Sequence, residues 1–414
     1  MTGDGNWDRR SVLRAAAVMA AATPLLGGTA VAQAGDADAL FKAGKFEQAG
    51  RAYEEVLRRD PQNVHAATRR GYVALLSNRF ADAEKYLGRA VALAPGDKQV
   101  NRMLADCFTR QDEFGRAAPH WRAAGMESEA KWYEAFQGRP YEILGDEARL
   151  PWLQMDPIPQ VEGSLNGGPP KRLSFYTRVG PLNVSARTAE EAGLRVVAKE
   201  KIEYVGEELW FYYGVLDSLR LGGIELRNIP VNWSDGDSGD DSDGIFGTSI
   251  FYHLLTTVDY AGRKLVLQRK TAARQVSGEV LPLWLADDHL TFSRGSFDGS
   301  GQRVVALHVG GTGNNVAGMY EGTAKALKIR IDRDRPEETA AGGQAVSVYP
   351  CYPREVRLGG VTARDAYSLA GQQPGHEGHG FDVLGEFAHS FFKPCSVTFD
   401  FAAMKFSIAR VSTI

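Results

Sequence analysis

Two stretches in the C-terminal two thirds of this chain follow one order of motifs, and that duplication restricts the fold more than any composition does. The first stretch opens on Asn166-Gly167, passes through Leu173-Ser174-Phe175-Tyr176-Thr177-Arg178-Val179 and then 189–194, reaches Leu221-Gly222-Gly223-Ile224, and closes on Gly244-Ile245-Phe246-Gly247. The second opens on Asp298-Gly299, passes through Val304-Val305-Ala306-Leu307-His308-Val309-Gly310-Gly311, reaches Leu358-Gly359-Gly360-Val361, and closes on Asp382-Val383-Leu384-Gly385. The turn dipeptides followed by β-prone apolar runs predict hairpins and a mainly β region. A short helix is expected at 188–192, stopped by Gly193. Hairpins are expected at 254–267, turning at 260–263, and at 394–401 with 405–408.

This order resembles the two lobes of pepsin-like and retropepsin-like aspartic peptidases, with lobe one at 161–275 and lobe two at 276–414. The resemblance implies a cleft between the lobes and a flap over it. The flap region would hold Trp210, Phe211, Tyr212 and Tyr213, with 346–352 in the matching place in lobe two. It also implies that Tyr176-Thr177-Arg178 and His308-Val309-Gly310 stand where the family has Asp-Thr-Gly. In that family two aspartates face each other and share one proton, because like charges about 3 Å apart cannot both ionise. A phenol (ordinary pKa about 10) and an imidazole (about 6.5) cannot form that dyad. Ordinary aspartic proteolysis is therefore not expected. Arg178 replaces a glycine, and Thr177 has lost its hydroxyl mate to Val309. Two functions stay open. One is a non-proteolytic binder of a peptide or small extended ligand in the cleft, the dyad having drifted. The other is a repurposed lyase, isomerase or cyclase in which Tyr176 and His308 act as general acid and base, with Arg178 lowering the Tyr176 pKa. A hydrolase using Asp217 or Asp382 ranks below both, since neither stands at a family catalytic position.

Ahead of the duplication, residues 35–125 repeat with a 34-residue period. Phe46, Phe80 and Phe114 are in register, as are Ala49, Ala83 and Ala117, and Tyr53, Leu87 and Trp121; Pro61 and Pro95 close units. This pattern resembles the tetratricopeptide repeat, which implies pairs of antiparallel helices and a concave face for a protein partner. The alternative is an array that buttresses the following domain. Residues 126–160 are expected to give a helix at 127–137 and then a proline-rich extended linker in which Trp152 docks.

The first 34 residues resemble a twin-arginine export signal. Arg9-Arg10 is followed by a mild apolar stretch at 15–26 and by the triplets Ala30-Val31-Ala32 and Ala32-Gln33-Ala34. A periplasmic or extracellular location follows as an expectation. The stretch is too short for a stable membrane span. A formal charge of −3 over 414 residues, without a long basic run, gives no footprint for nucleic acid. Of three cysteines, Cys107 falls in the helical repeats; Cys351 and Cys395 share lobe two and are the pair to bridge if an exported protein bridges any, which the sequence leaves open. No cofactor is expected. His376 and His379, with His308, are weak candidates for a metal site. The Asp-rich run at 235–243 has no bidentate glutamate at the calcium-loop spacing, and both loops are read as solvated.

Overall fold

The computed structural model describes residues 27–411, apart from 157, 205, 237–241, 272–276, 312, 342–343 and 372–377. Residues 1–26, with the twin-arginine pair, lie outside the described residues. The chain opens with seven helices: α1 Gly27–Lys42, α2 Phe46–Arg59, α3 Val64–Leu76, α4 Phe80–Leu93, α5 Lys98–Thr109, α6 Phe114–Ala123 and α7 Glu127–Glu134. The expected edge at residue 34 therefore falls inside α1. Among the described helices none is long and apolar enough to cross a membrane.

The residues in register build this array as small and large side chains should. Ala49, Ala83 and Ala117 are fully buried and let paired helices close up, while Tyr53, Leu87 and Trp121 fill the space between them. Asn63 and Asp97 cap α3 and α5 through their side chains. The corner between the two helices of each unit recurs as a left-handed residue: Gly44 (φ 69°), Asn78 (φ 52°) and Asp112 (φ 61°).

The duplication is visible as two β units. In the first, six strands close a ring: Gln160–Leu165, Lys171–Phe175, Gly244–Phe246, Leu182–Val184, Ile224–Ser234 and Glu207–Leu221, the last pairing back to the first. The second unit repeats the order with Leu290–Phe297, Arg303–Leu307, Glu386–Phe387 and Ala317–Tyr320. Its opening turn has the backbone of the first: Asn166 and Gly167 have φ 48° and 71°, Asp298 and Gly299 have 44° and 75°. Where the first unit has two long continuous strands, the second has each broken in two, into Gln344–Cys351 and Glu355–Leu358, then Val361–Arg364 and Ser368–Gly371. Pro353 stands at the first break, and it lacks the N–H a continuous ladder would need. The expected helix after the first strand pair is Ala186–Glu191, capped by Ser185.

The units share a six-stranded sheet in the order Glu279–Pro282, Lys405–Arg410, Cys395–Asp400, Leu254–Asp259, Lys264–Arg269, Glu147–Pro151. Its centre is the pair Thr257 and Thr398, whose hydroxyls bond at 2.8 Å across 141 positions of sequence. Each half is one hairpin and one flanking strand, so the sheet is related to itself through that pair. The linker thus differs from expectation: Glu147–Pro151 is a paired strand rather than a free extended segment. Trp152 docks as expected, stacked on Phe175 at 5.1 Å.

The repeat corners rest on this β region in series. Val304 Cγ2 sits 2.3 Å from where a β-carbon on Gly44 would be, and Arg294 Nη2 donates to the Gly44 carbonyl at 2.6 Å. Asn78 Nδ2 donates to the Phe401 carbonyl at 3.1 Å, and Asp112 pairs with His253 at 2.9 Å. Successive corners therefore touch the second unit, the shared sheet and the first unit. Arg110, buried beside the second and third corners, pairs with Asp106 at 2.5 Å and donates to the carbonyls of Leu75 and Leu285, both at 3.1 Å, and of Asp287.

Candidate functional site

The strands Lys171–Phe175 and Arg303–Leu307 end side by side, and the tripeptides that follow them cross at the junction of the units. Tyr176 N–H donates to the Phe246 carbonyl at 3.1 Å, and His308 N–H donates to that of Phe387 at 2.9 Å. Tyr176 bridges Gly310. Thr177 N–H donates to the Val309 carbonyl, and Val309 N–H donates to Thr177 Oγ1, both at 3.0 Å. Thr177 Oγ1 in turn lies 3.1 Å from the Val309 carbonyl and 3.3 Å from that of Leu307. One hydroxyl thus ties both loops, and buried Val309 offers no second one.

Tyr176 and His308 meet. Their ring centroids are 4.7 Å apart with planes tilted by 38°. Gly311 makes this possible: at φ 83° it lies where a β-carbon would come within 2.5 Å of Tyr176 Cε2 and 2.8 Å of His308 Nε2. Arg178 reaches across the junction to Glu386, with Nη1 to Oε2 at 3.4 Å, and His308 Nδ1 lies 3.7 Å from the other carboxylate oxygen. The junction is therefore a phenol, an imidazole and a guanidinium gathered around one carboxylate.

Glu386 is absent from the sequence reading because the second closing motif is shifted. Leu384-Gly385 looks like the counterpart of Phe246-Gly247. The strand pairing instead sets Phe387 beside Leu307 as Phe246 is beside Phe175. Glu386 then takes the place of Ile245, three residues beyond where the motif match puts it.

Electrostatics correct a second expectation. The Tyr176 hydroxyl is pushed up to about 12, by burial first, with Glu386 and Tyr204 adding to it against the opposing Arg178 charge. Arg178 therefore does not make a ready phenolate. Its own pKa is raised, because Glu386 and Tyr176 outweigh the burial that opposes its charge.

The aromatic residues of the hairpin Ala198–Tyr204 with Glu207–Leu221 are spent elsewhere. Trp210 lies under the Lys199 ammonium at 4.5 Å, Tyr212 stacks on Trp233 at 5.8 Å, and Tyr213 packs on Trp132 of α7 at 4.8 Å and bonds Glu200. The group of this hairpin whose charge is felt at Tyr176 is Tyr204, beside its tip. Behind the second loop, Tyr260 accepts from Gly310 N–H at 2.8 Å, and its hydroxyl lies 3.1 Å from His389 Nδ1. Burial lowers His389 to about 4, so it stands there as a neutral imidazole.

Among known families, Tetratricopeptide repeat matches residues 36–98 and 77–125. The N-terminal helices are a tetratricopeptide array. Two solved structures resemble the chain over part of its length. An O-GlcNAc transferase mutant from Thermobaculum terrenum is 20% identical over 28% of this chain and 25% of its own, with a TM-score of 0.25. A MamA mutant is 20% identical over 24% of this chain and 73% of its own, with a TM-score of 0.23. The chain thus spans about a quarter of the length of the first. No curated protein matches it.

Helices of the tetratricopeptide array contact His379 and Asp382 of the second unit. His379 bonds Tyr72 of α3 at 3.0 Å, while His376 lies outside the described residues. Among the described residues no three His, Cys, Asp or Glu side chains gather to hold a metal. Asp382 donates its N–H to the Lys42 carbonyl of α1 at 2.8 Å, and Asp217 is exposed on its strand. Cys351 and Cys395, whose bridging the sequence leaves open, are buried free thiols in different sheets. In the Asp-rich run, Asp235 accepts from Trp210 N–H and Asp243 from Arg172 N–H; residues 237–241 lie outside the described residues.

Proposed function

We propose that the β region is a degenerate relative of the two-lobed pepsin- and retropepsin-like fold, and that it holds a peptide or similar extended ligand between its units without cleaving it. The repeated order of strands, the shared six-stranded sheet and the one-sided Thr177 grip support the kinship. The observation that carries the function is the Arg178–Glu386 pair at 3.4 Å. The carboxylate at the junction is matched by a cation, and Tyr176 and His308 occupy the positions of the two acids. Such a junction lacks the proton-sharing carboxylates that activate water, yet it offers a charged floor and an aromatic wall to a ligand.

The test is binding of a fluorescent peptide library to wild type and to Arg178→Met. Wild type is expected to retain peptides intact, and Arg178→Met to bind them at least tenfold more weakly. Cleavage by wild type, or binding indifferent to Arg178, rules against the proposal. Export by the twin-arginine route belongs to the same proposal. Arg9→Lys with Arg10→Lys is expected to retain the protein in the cytoplasm, and unchanged export by that double variant rejects it.

The 4.7 Å contact of the Tyr176 and His308 rings favours a second reading, a repurposed acid–base enzyme. In it Tyr176, held protonated at neutral pH, serves as the acid, and His308 beside Glu386 serves as the base. Comparing small-molecule products of cells carrying wild type and His308→Ala decides this. An unchanged profile with the variant folded removes it.

A further inference from the structure

The first helices of the repeat units, α1, α3 and α5, form one side of the tetratricopeptide array, with α3 and α5 packed directly on each other. Arrays of this kind take extended segments along a concave face. Part of this side is filled by the chain itself. His379-Gly380-Phe381-Asp382, from the second β unit, runs across α1 and α3. Tyr72 OH bonds His379 Nδ1 at 3.0 Å, and Arg69 Nη1 donates to the His379 carbonyl at 3.5 Å. The Phe381 ring stands edge-on to Phe41 at 5.9 Å and to Phe46 at 5.0 Å. Asp382 N–H donates to the Lys42 carbonyl at 2.8 Å.

These contacts are those of a bound peptide: a main-chain bond at either end and one aromatic side chain buried between. A cavity of about 520 Å³ adjoins the segment, with Lys42, Arg303, Tyr320, Thr323 and Asp382 on its walls. Lys42 makes no ion pair among the described residues. Its cation and that of Arg303 suit a carboxylate next to the aromatic anchor. Asp382 supplies one, 3.9 Å from Arg303.

We infer that residues 379–382 are a tethered ligand of the array, and that this face takes an extended segment bearing an aromatic residue followed by a carboxylate. A tethered segment acts at an effective concentration of roughly millimolar, so it excludes the same sequence offered in solution. The inference stands apart from the Tyr176–His308 junction and from whatever binds there.

The test uses the full chain and a labelled heptapeptide of residues 378–384. Wild type is expected to bind it at least tenfold more weakly than Phe381→Ala, whose own segment has lost its anchor. The same heptapeptide with its phenylalanine changed to alanine is expected not to bind either protein. His379→Ala removes the bond to Tyr72 and the ring contacts with Phe292 and Phe381 at a half-buried position, and keeps the Phe381 anchor. It decides the matter if Phe381→Ala does not fold, and a gain of at least threefold over wild type is then expected. A folded variant that binds no better than wild type, or equal binding of the alanine heptapeptide, overturns the inference.

Discussion

Thr177 holds the junction with one side chain where symmetry has room for two. Its hydroxyl satisfies the buried Val309 N–H and reaches two carbonyls of the opposite loop. Thr177→Val keeps the shape and strands that N–H, so a loss of about 1–3 kcal/mol is expected in urea unfolding, with Thr177→Ser close to wild type. One buried group, His389, and one half-buried group, Glu129, give the stability a pH dependence of opposite signs. His389 falls from 6.5 to about 4 in the fold, first through burial and then through Lys393. The unfolded chain takes up that proton earlier, so this contribution is complete above 6.5 and lost as pH falls towards 4. Glu129 rises from 4.5 to about 7, first through burial and then through Glu200 and Asp288. Its contribution is complete below 4.5 and lost as pH rises through 7. His389→Gln is expected to flatten the acid side of the stability profile and Glu129→Gln the neutral side; parallel profiles for wild type and variant contradict the assignment. That 176–178 and 308–310 follow strands in matching places of the two copies was legible in the sequence. Glu386 was not, because in the second copy the motif that resembles the first lies three residues ahead of the closing strand.

At the scale of elements, the corners of the repeats do two things at once. Gly44, Asn78 and Asp112 adopt the left-handed backbone that turns one helix into the next, and each lands on a different part of the β region. Asn78→Ala is expected to cost about 1–2 kcal/mol in backbone strain, besides its bond to Phe401. Asn78→Gly is expected to recover the strain and not the bond. Equal unfolding midpoints for the two variants contradict this division. The helix periods, the hairpin at 254–267 and the closing hairpin were legible because each rests on neighbours in sequence. The strand Glu147–Pro151 was not. It exists through pairing with Lys264–Arg269, over a hundred residues away, and its own alternation covers only Glu147 to Leu150 before proline ends it.

Over the whole molecule, array and β region share a core. Arg110 is the sharpest instance, with Asp106 on its own helix and the carbonyls of Leu285 and Asp287 from the β region around one buried guanidinium. Arg110→Met leaves Asp106 buried and unpaired, and a loss on the order of 3–5 kcal/mol is expected. Calorimetry of wild type is expected to show one transition, and of Arg110→Met two, the array melting first. Two transitions already in wild type contradict a shared core.

The sequence alone determined the plan: a 34-residue helical period, then one β order used twice. Periodicity and turn residues act over a few positions, so they can be read along the chain. Only the tertiary structure decided that Tyr176 meets His308, that Arg178 is spent on Glu386, that two cysteines stay apart, and that the array leans on the β region and holds a segment of it. The contacts among these join residues 132 to 307 positions apart, and no local preference records which distant side chain will fill a given space.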